Sequence, residues 1–311
     1  MLPVCLAGFL FFFQTNLYAQ DTTATAKESI TPAKIRPVKN TFQSTLIIDN
    51  QTVMVPIKGT LEMDIMHRFG TVEKGYDDFW GLFASSNIRL GVGYAPINNL
   101  FVGIGFEKYH KYWDVSAKYA IIKQTPGKYP VSITYYANLA VDTRSDPDKS
   151  IFTYQSDRIA SFNQLIIARK ISDKLSLQVA PSLSHQNSVN GFYTKNDSTG
   201  KSIFQEMKHD HFAIAISGRY RLTDVTAFLI NYDQPITKHA TNNPSPNLSF
   251  GFEFNTSGHA FQLFVGNYSF LNPQQNNLFN TNSPFKYTGS DGKKVKGGMF
   301  LIGFNITRLW N

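Results

Sequence analysis

From Gly59 to the end of the chain, apolar and polar residues alternate with a period of two, as in strands that bury one face. Val131, Ile133, Tyr135, Ala137, Leu139 and Val141 alternate with Ser132, Thr134, Tyr136, Asn138, Ala140 and Asp142. The same rhythm runs through 175–183, 212–222, 248–254 and 300–306. A helical period would scatter these residues around the wheel. The pattern predicts strands near 59–68, 87–95, 100–109, 112–124, 129–143, 157–171, 175–188, 209–222, 226–236, 246–256, 259–269 and 297–310.

The connections sharpen this reading. Short turns fall at 96–99, 125–128, 172–174, 223–225 and 257–258, and longer loops at 69–86, 144–156, 189–208, 237–245 and 270–296. The exception is a tight link at His110 and Lys111. Alternation of short and long connections is what outer-membrane barrels show, with one rim in the periplasm and the other outside. A β-sandwich has no reason for it. Closure follows from the medium, because an open sheet edge in hydrocarbon leaves backbone groups unpaired at several kcal/mol each. The expected fold is all-β, an antiparallel transmembrane up-and-down barrel of about twelve strands spanning 45–311. An even count places both termini at the periplasmic rim.

The N-terminal region reads differently. Residues 6–13 form an apolar run ahead of Ala19 and Gln20, which predicts a signal peptide over 1–19. Its n-region carries no Lys or Arg. Residues 20–44, with Pro32 and Pro37 and no periodicity, predict a disordered periplasmic leader. Two β-prone runs within 45–56 flank Asp49, Asn50 and Gln51, so a small hairpin is expected. Three placements are open for it: plugging the barrel, lying beneath it, or forming its first strand pair.

Composition narrows the class. Of 311 residues, 14 % are aromatic and 17 % charged, against about 25 % charged in soluble domains. The mean hydropathy is −0.22, and no stretch after residue 19 is long and apolar enough for a membrane-crossing helix. That argues against an inner-membrane helix bundle. The net charge of +8 is scattered along the chain, so lipopolysaccharide and solutes are expected to meet it and nucleic acid is not. Cys5, the single cysteine, falls in the signal peptide, which leaves no disulfide to the mature chain.

Several segments carry a family pattern: His67-Arg68-Phe69-Gly70, Phe79-Trp80-Gly81-Leu82, Asn87-Ile88-Arg89-Leu90-Gly91, the run from Leu100 to Glu107, and that from Asp114 to Tyr119. The chain resembles DUF5777, a family of outer-membrane β-barrels from Bacteroidetes-type bacteria, most clearly over 43–143. The resemblance implies a barrel in the outer membrane. The last expected strand ends at Trp310, ahead of Asn311, and a terminal aromatic strand is the signal expected to be read by the barrel-assembly machinery. The resemblance brings no activity or catalytic residue. The size is also similar to that of the type IX secretion barrels, whose Asn-Pro-Ala-type N-terminal motif is missing here.

If the apolar sets face lipid, the opposite sets line the lumen. Those positions include Glu62, Asp64, Arg68, Arg89, Glu107, Asp114, Lys118, Arg219, Arg221 and Glu253. Two outcomes are open: an acidic arc facing a basic arc as a selective constriction, or an internal ion-pair network that fills a narrow barrel. Gly91, Gly93, Gly103 and Gly105 alternate within strands, so they serve inward packing and not a nucleotide loop. His209 and His211 share a strand face but lack a third metal ligand. Ser184 and His185 are adjacent and point to opposite faces, which removes them as a hydrolytic pair. The Asn/Gln-rich loop 270–296 either binds glycans outside, folds into the lumen as a constriction, or stays solvated. The expectation is a non-catalytic barrel without cofactor, a narrow passive pore or binding barrel for small polar solutes. The alternative is a structural or assembly barrel with a filled lumen, partnering a periplasmic or secretion complex.

Overall fold

A computed structural model describes residues 35–311 except 196–201, 241–242, 290–291, 293 and 296. The expected signal peptide and residues 20–34 of the expected leader lie outside the described residues.

Twelve strands close into one antiparallel barrel. In chain order they are β1 (Leu61–Thr71), β2 (Asn87–Ile97), β3 (Leu100–Glu107), β4 (Tyr112–Ile122), β5 (Ser132–Val141), β6 (Ile159–Lys170), β7 (Leu175–Gln186), β8 (Asp210–Arg221), β9 (Thr226–Pro235), β10 (Asn247–Asn255), β11 (His259–Gly266) and β12 (Leu301–Trp310). Each pairs with its neighbour in sequence. Closure comes from β12 on β1, where Trp310 opposes Leu61 and Asn305 opposes Met66. Apart from the tight link after β3, which lies at the long-loop rim, the short connections lie at one rim and the long ones at the other, and β1 begins where β12 ends, at the short-turn rim.

The period of two is the cause of this geometry. On β5, Ser132, Thr134, Tyr136, Asn138 and Ala140 are buried, whereas Tyr135 and Leu139 are exposed. The outer wall presents Leu90, Val92, Ile104, Val115, Val179, Ile216, Ile230, Phe252 and Leu263, all exposed apolar side chains at mid-strand heights. Aromatic rings bracket them. Tyr94, Tyr119, Tyr220 and Trp310 sit near the short-turn rim, and Phe106 packs on Trp113 near the long-loop rim at a 5.0 Å centroid distance. An apolar band between two aromatic girdles is the exterior of a membrane barrel.

Four features depart from the sequence expectation. The last strand starts at Leu301 instead of 297. The loop 189–208 contains a hairpin of its own, Gly191–Lys195 paired with Ser202–Glu206. The loop 270–296 contains a helix, α1 (Pro273–Phe279), and a short pair, Tyr287–Thr288 with Lys294–Val295. The leader does not stay disordered to residue 44. Thr41, Phe42, Ser44 and Thr45 are buried within the barrel, because Thr52 donates to the carbonyls of Thr45 and Ser44 and ties this stretch to the hairpin that follows.

That hairpin, Leu46–Ile47 paired with Asn50–Gln51, occupies the lumen. Of the three open placements, the plug is the one observed. The turn falls at Ile48 and Asp49, one residue earlier than expected. Ile48 has φ +60°, an uncommon conformation for a β-branched residue. Such a conformation persists where surroundings over-determine it. Ile48 is fully buried, its N–H donates to Gln262 Oε1 at 3.0 Å, and its carbonyl accepts from Asn305.

Candidate functional site: a lumen with two inserts

The charged residues picked out by strand parity are brought together in sets. Asp64, Gly91, Gly105 and Asp114 lie on one rung across β1 to β4, each opposite the next. The two glycines leave a gap between two carboxylates, and Arg89 lies in it. Its Nη1 donates to Asp64 Oδ1 at 2.9 Å, its Nε to Asp114 Oδ2 at 2.8 Å and its Nη2 to Asp114 Oδ1 at 2.7 Å. A Cβ at Gly105 would collide with the guanidinium, and one at Gly91 with the Asp64 carboxylate. Gly91 and Gly105 thus let a planar cation approach the wall closely, whereas Gly93 makes room for the Phe101 ring.

The remaining charges fall around that core. Glu62 accepts from Thr45 Oγ1 at 2.8 Å. Lys118 donates to the Thr45 carbonyl at 3.1 Å and to Gln51 Oε1 at 2.9 Å. Glu107 accepts from Asn87 Nδ2 at 2.7 Å and from the Leu271 N–H at 3.1 Å. Arg68 donates to Asn305 Oδ1 at 3.0 Å and holds its guanidinium 4.5 Å from the centre of the Phe264 ring. Arg219 pairs with Glu253 at 2.8 Å. Arg221 is the correction. It has the inward parity but sits at the strand end, pairs with Asp224 of the adjoining turn at 3.7 Å, and stands apart from the lumen charges.

The hairpin is the hub of this wheel. Gln262 on β11 donates to the Leu46 carbonyl at 2.9 Å, and Gln178 on β7 to that of Gln51 at 2.8 Å. Gln164 on β6 donates to Asn50 Oδ1 at 2.8 Å, while Asn50 Nδ2 donates to Asp233 Oδ1 on β9 at 2.9 Å. Asp49 accepts from Tyr268 at 2.6 Å and from Asn231 at 3.1 Å. With Glu62, Lys118, Thr134 and Asn305, the hairpin reaches β1, β4, β5, β6, β7, β9, β11 and β12.

From the opposite rim, α1 descends into the mouth. Its Gln274, Gln275, Asn276, Asn277 and Leu278 are all buried. Gln274 Nε2 donates to Asn138 Oδ1 at 2.7 Å, Gln275 Nε2 to the Tyr112 hydroxyl at 2.8 Å and Asn277 Nδ2 to Ser184 Oγ at 3.3 Å. Of the three fates open to this loop, folding into the lumen is the one observed. Between the inserts remains a cavity of ≈ 50 Å³, bounded by Leu46, Asp49 and Asn50 on one side and by Leu271, Asn272 and Pro273 on the other. It has room for a few waters only. Above α1, a separate cavity of ≈ 480 Å³ opens at the long-loop rim.

The histidines do not gather. His211 is buried and stacks on His239, with Nδ1 3.0 Å from Nε2. His209 instead contacts the Gln186 carbonyl at 2.7 Å and stacks on His185. Burial, helped by the charge of Lys208, pushes the His239 ring below its ordinary pKa. Ser184 faces the lumen and His185 contacts Asp210 at 2.8 Å on the outside, so adjacency does separate them.

Sequence reasoning left the fate of loop 270–296 open and did not foresee a helix within it. It also missed the rung of glycines, because strand register is invisible until the pairs are known.

A fold search aligns the chain with the NanC porin at a TM-score of 0.46 and 8 % identity, covering 81 % of this chain and 100 % of that one. The KdgM porin aligns at 0.45 and 9 %, covering 80 % and 99 %. An outer membrane channel from Pseudomonas putida F1 aligns at 0.44 and 12 %, covering 83 % and 97 %. A search of curated protein sequences returned no match. A family described as a membrane bound beta barrel domain, DUF5777, matches residues 42–310, which takes in the inner hairpin as well as every barrel strand. The chain belongs to that family of membrane-bound β-barrels.

Proposed function

We propose that the protein is a non-catalytic outer-membrane binding barrel for small polar solutes, closed to free passage by its own N-terminal hairpin. The observation that carries this reading is the hairpin itself, hydrogen-bonded to wall strands all around the lumen axis. Each lumen bond contributes about 0.5–1.5 kcal/mol net, and each buried partner left unmade costs about 1–3 kcal/mol. Withdrawal of the hairpin would break many of them together. A passive pore needs the opposite: a lined, continuous path with weak sites along it. The short-turn rim is then periplasmic and the long-loop rim faces outside, after export with a cleaved signal peptide.

Proteoliposome swelling tests this. Vesicles carrying the intact protein should retain small sugars and amino acids, and vesicles carrying a variant that lacks residues 42–53 should leak them. Rapid swelling with the intact protein would return the reading to a passive pore. A second reading, a sealed barrel that presents a periplasmic partner, is favoured by the chain preceding the hairpin. Val38 N–H bonds the Gln124 carbonyl at 2.8 Å, and Ile35 is exposed at the short-turn rim. Crosslinking in cells from a photoreactive residue at 35 should trap one protein repeatedly under that reading and none under the first.

A further inference from the structure

The ≈ 480 Å³ cavity at the long-loop rim has the volume of a small-molecule site, at the lower end of the usual ~300–1,000 Å³. Its floor is α1, through Gln275, Leu278 and Phe279, so it is separate from the small chamber beneath. Its walls come from the tight link after β3, the loop after β5 and the end of β7.

The fixed charges lining this cavity sum to zero. Asp142, 1 % exposed, lies 3.1 Å from Arg144 Nε and 3.3 Å from His110 Nδ1. Arg158 Nη1 donates to the carbonyls of Asp142 and Arg144 at 3.0 and 2.9 Å. Both guanidinium groups lie over the Phe152 ring, at 5.2 and 4.4 Å. Asp157 adds a second carboxylate to the lining. Burial and the charge of Arg144 push the His110 ring below its ordinary pKa, so it adds no cation near neutral pH. Two cations and two anions remain: Asp142 pairs with Arg144, while Arg158 is held by two carbonyls and Asp157 by the Tyr154 N–H. The lining therefore has no net charge to favour an ionic ligand over a neutral one.

What the cavity does offer is spare neutral hydrogen bonding beside flat apolar surface. Gln186 is 5 % exposed, lines the cavity, and its Nε2 has no partner among the described residues. Gln275 spends its N–H on Tyr112 and accepts nothing through its amide oxygen from the described residues. Ser188 and Asn190 stand at the lip. Phe279 and Tyr109, whose ring stacks on His110 through one face, supply the aromatic surface.

We propose that this vestibule binds a neutral, multiply hydroxylated ligand, a saccharide of one or two units. Sugar hydroxyls donate and accept at once, which matches amides with one function free. The C–H faces of a pyranose pack on aromatic rings, which matches Tyr109 and Phe279. The inference rests on the reading that the barrel takes small polar solutes, and it names their class.

Saturation-transfer NMR and calorimetry on the intact protein in nanodiscs test it. The probes are glucose, galactose, maltose, lactose and cellobiose, with glucuronate, lysine and glutamine as comparators. We expect saturable binding of at least one neutral sugar, unchanged between about 50 and 500 mM NaCl. Gln275→Leu, on the insert and outside the barrel wall, should weaken it about tenfold, as should Gln186→Leu. Heat-modifiable gel migration verifies that each variant is a closed barrel. Binding that neither substitution weakens overturns the site. Salt-sensitive binding of glucuronate or lysine alone, or binding of glutamine alone, overturns the saccharide assignment but leaves a solute-binding barrel standing. No binding by any probe overturns both.

Discussion

The two inserts enter the same lumen from opposite rims and are held in different ways. The hairpin at Leu46–Gln51 bonds through backbone carbonyls and N–H groups to long side chains of the wall, Lys118, Gln178, Gln262 and Asn305 among them. Helix α1 bonds through amide tips, and several polar atoms on it and on the preceding Asn272 have no partner among the described residues: both functions of the Asn272 amide, Gln274 Oε1 and Asn276 Oδ1. A buried polar atom without a partner costs about 1–3 kcal/mol. The hairpin is therefore a fixed part of the barrel, and α1 is the insert that lies nearer its exit. The lesson is that burial alone does not rank two plugs. What ranks them is whether their polar groups are satisfied where they sit.

The largest expected effect comes from the wall that supports the hairpin. Arg89→Met leaves Asp64 and Asp114 facing each other across two glycines, and breaking a buried pair in this way costs about 3–5 kcal/mol. Urea unfolding in vesicles, followed by tryptophan fluorescence, should show it. A loss under about 1 kcal/mol would mean that the carboxylates are solvated and the lumen is open.

Next is the comparison itself. Asn50→Leu removes the bonds to Gln164 and Asp233 and should cost about 2–4 kcal/mol, from two or more stranded groups. Asn277→Ala on α1, with single bonds of 3.3 and 3.5 Å, should cost about 1 kcal/mol or less. Equal losses would erase the distinction between the inserts.

The smallest effect is on the loop over β8. The contact between His211 and His239 is one N–H···N bond and needs a neutral ring on the acceptor side. His239 is held below its ordinary pKa of about 6.5. A depressed histidine contributes stability above its unfolded value and loses it as pH falls through the folded one. Hydrogen-exchange protection of 236–240, relative to the intrinsic rate at each pH, should thus fall as pH drops below the ordinary histidine range, with the barrel strands unaffected. An unchanged profile down to pH 4 would remove this coupling.

How much of this could be read from the chain alone differs by element. The barrel was legible because its medium imposes period two on every strand, and because the rims impose loop length. The inward positions of Glu62, Asp64, Arg68, Glu107, Asp114, Lys118, Arg219 and Glu253 followed from the same parity. Their partners did not. Arg89 meets Asp64 and Asp114 only because the register sets Gly91 and Gly105 between them, and register is a property of pairs. Arg221 shows the limit of parity: at a strand end, an inward side chain turns to the nearest loop carboxylate. The hairpin was visible, but its place was not, since Leu46, Ile47 and Ile48 suit a wall as well as a core. Helix α1 escaped because seven residues carry too little periodicity to announce a helix.

Planar-bilayer recording of the intact protein tests the central claim most directly. If the hairpin seals the lumen, the intact protein gives no steady current in 1 M KCl, and the variant lacking residues 42–53 gives discrete steps. A steady ohmic conductance from the intact protein, unaltered by that deletion, would contradict the account.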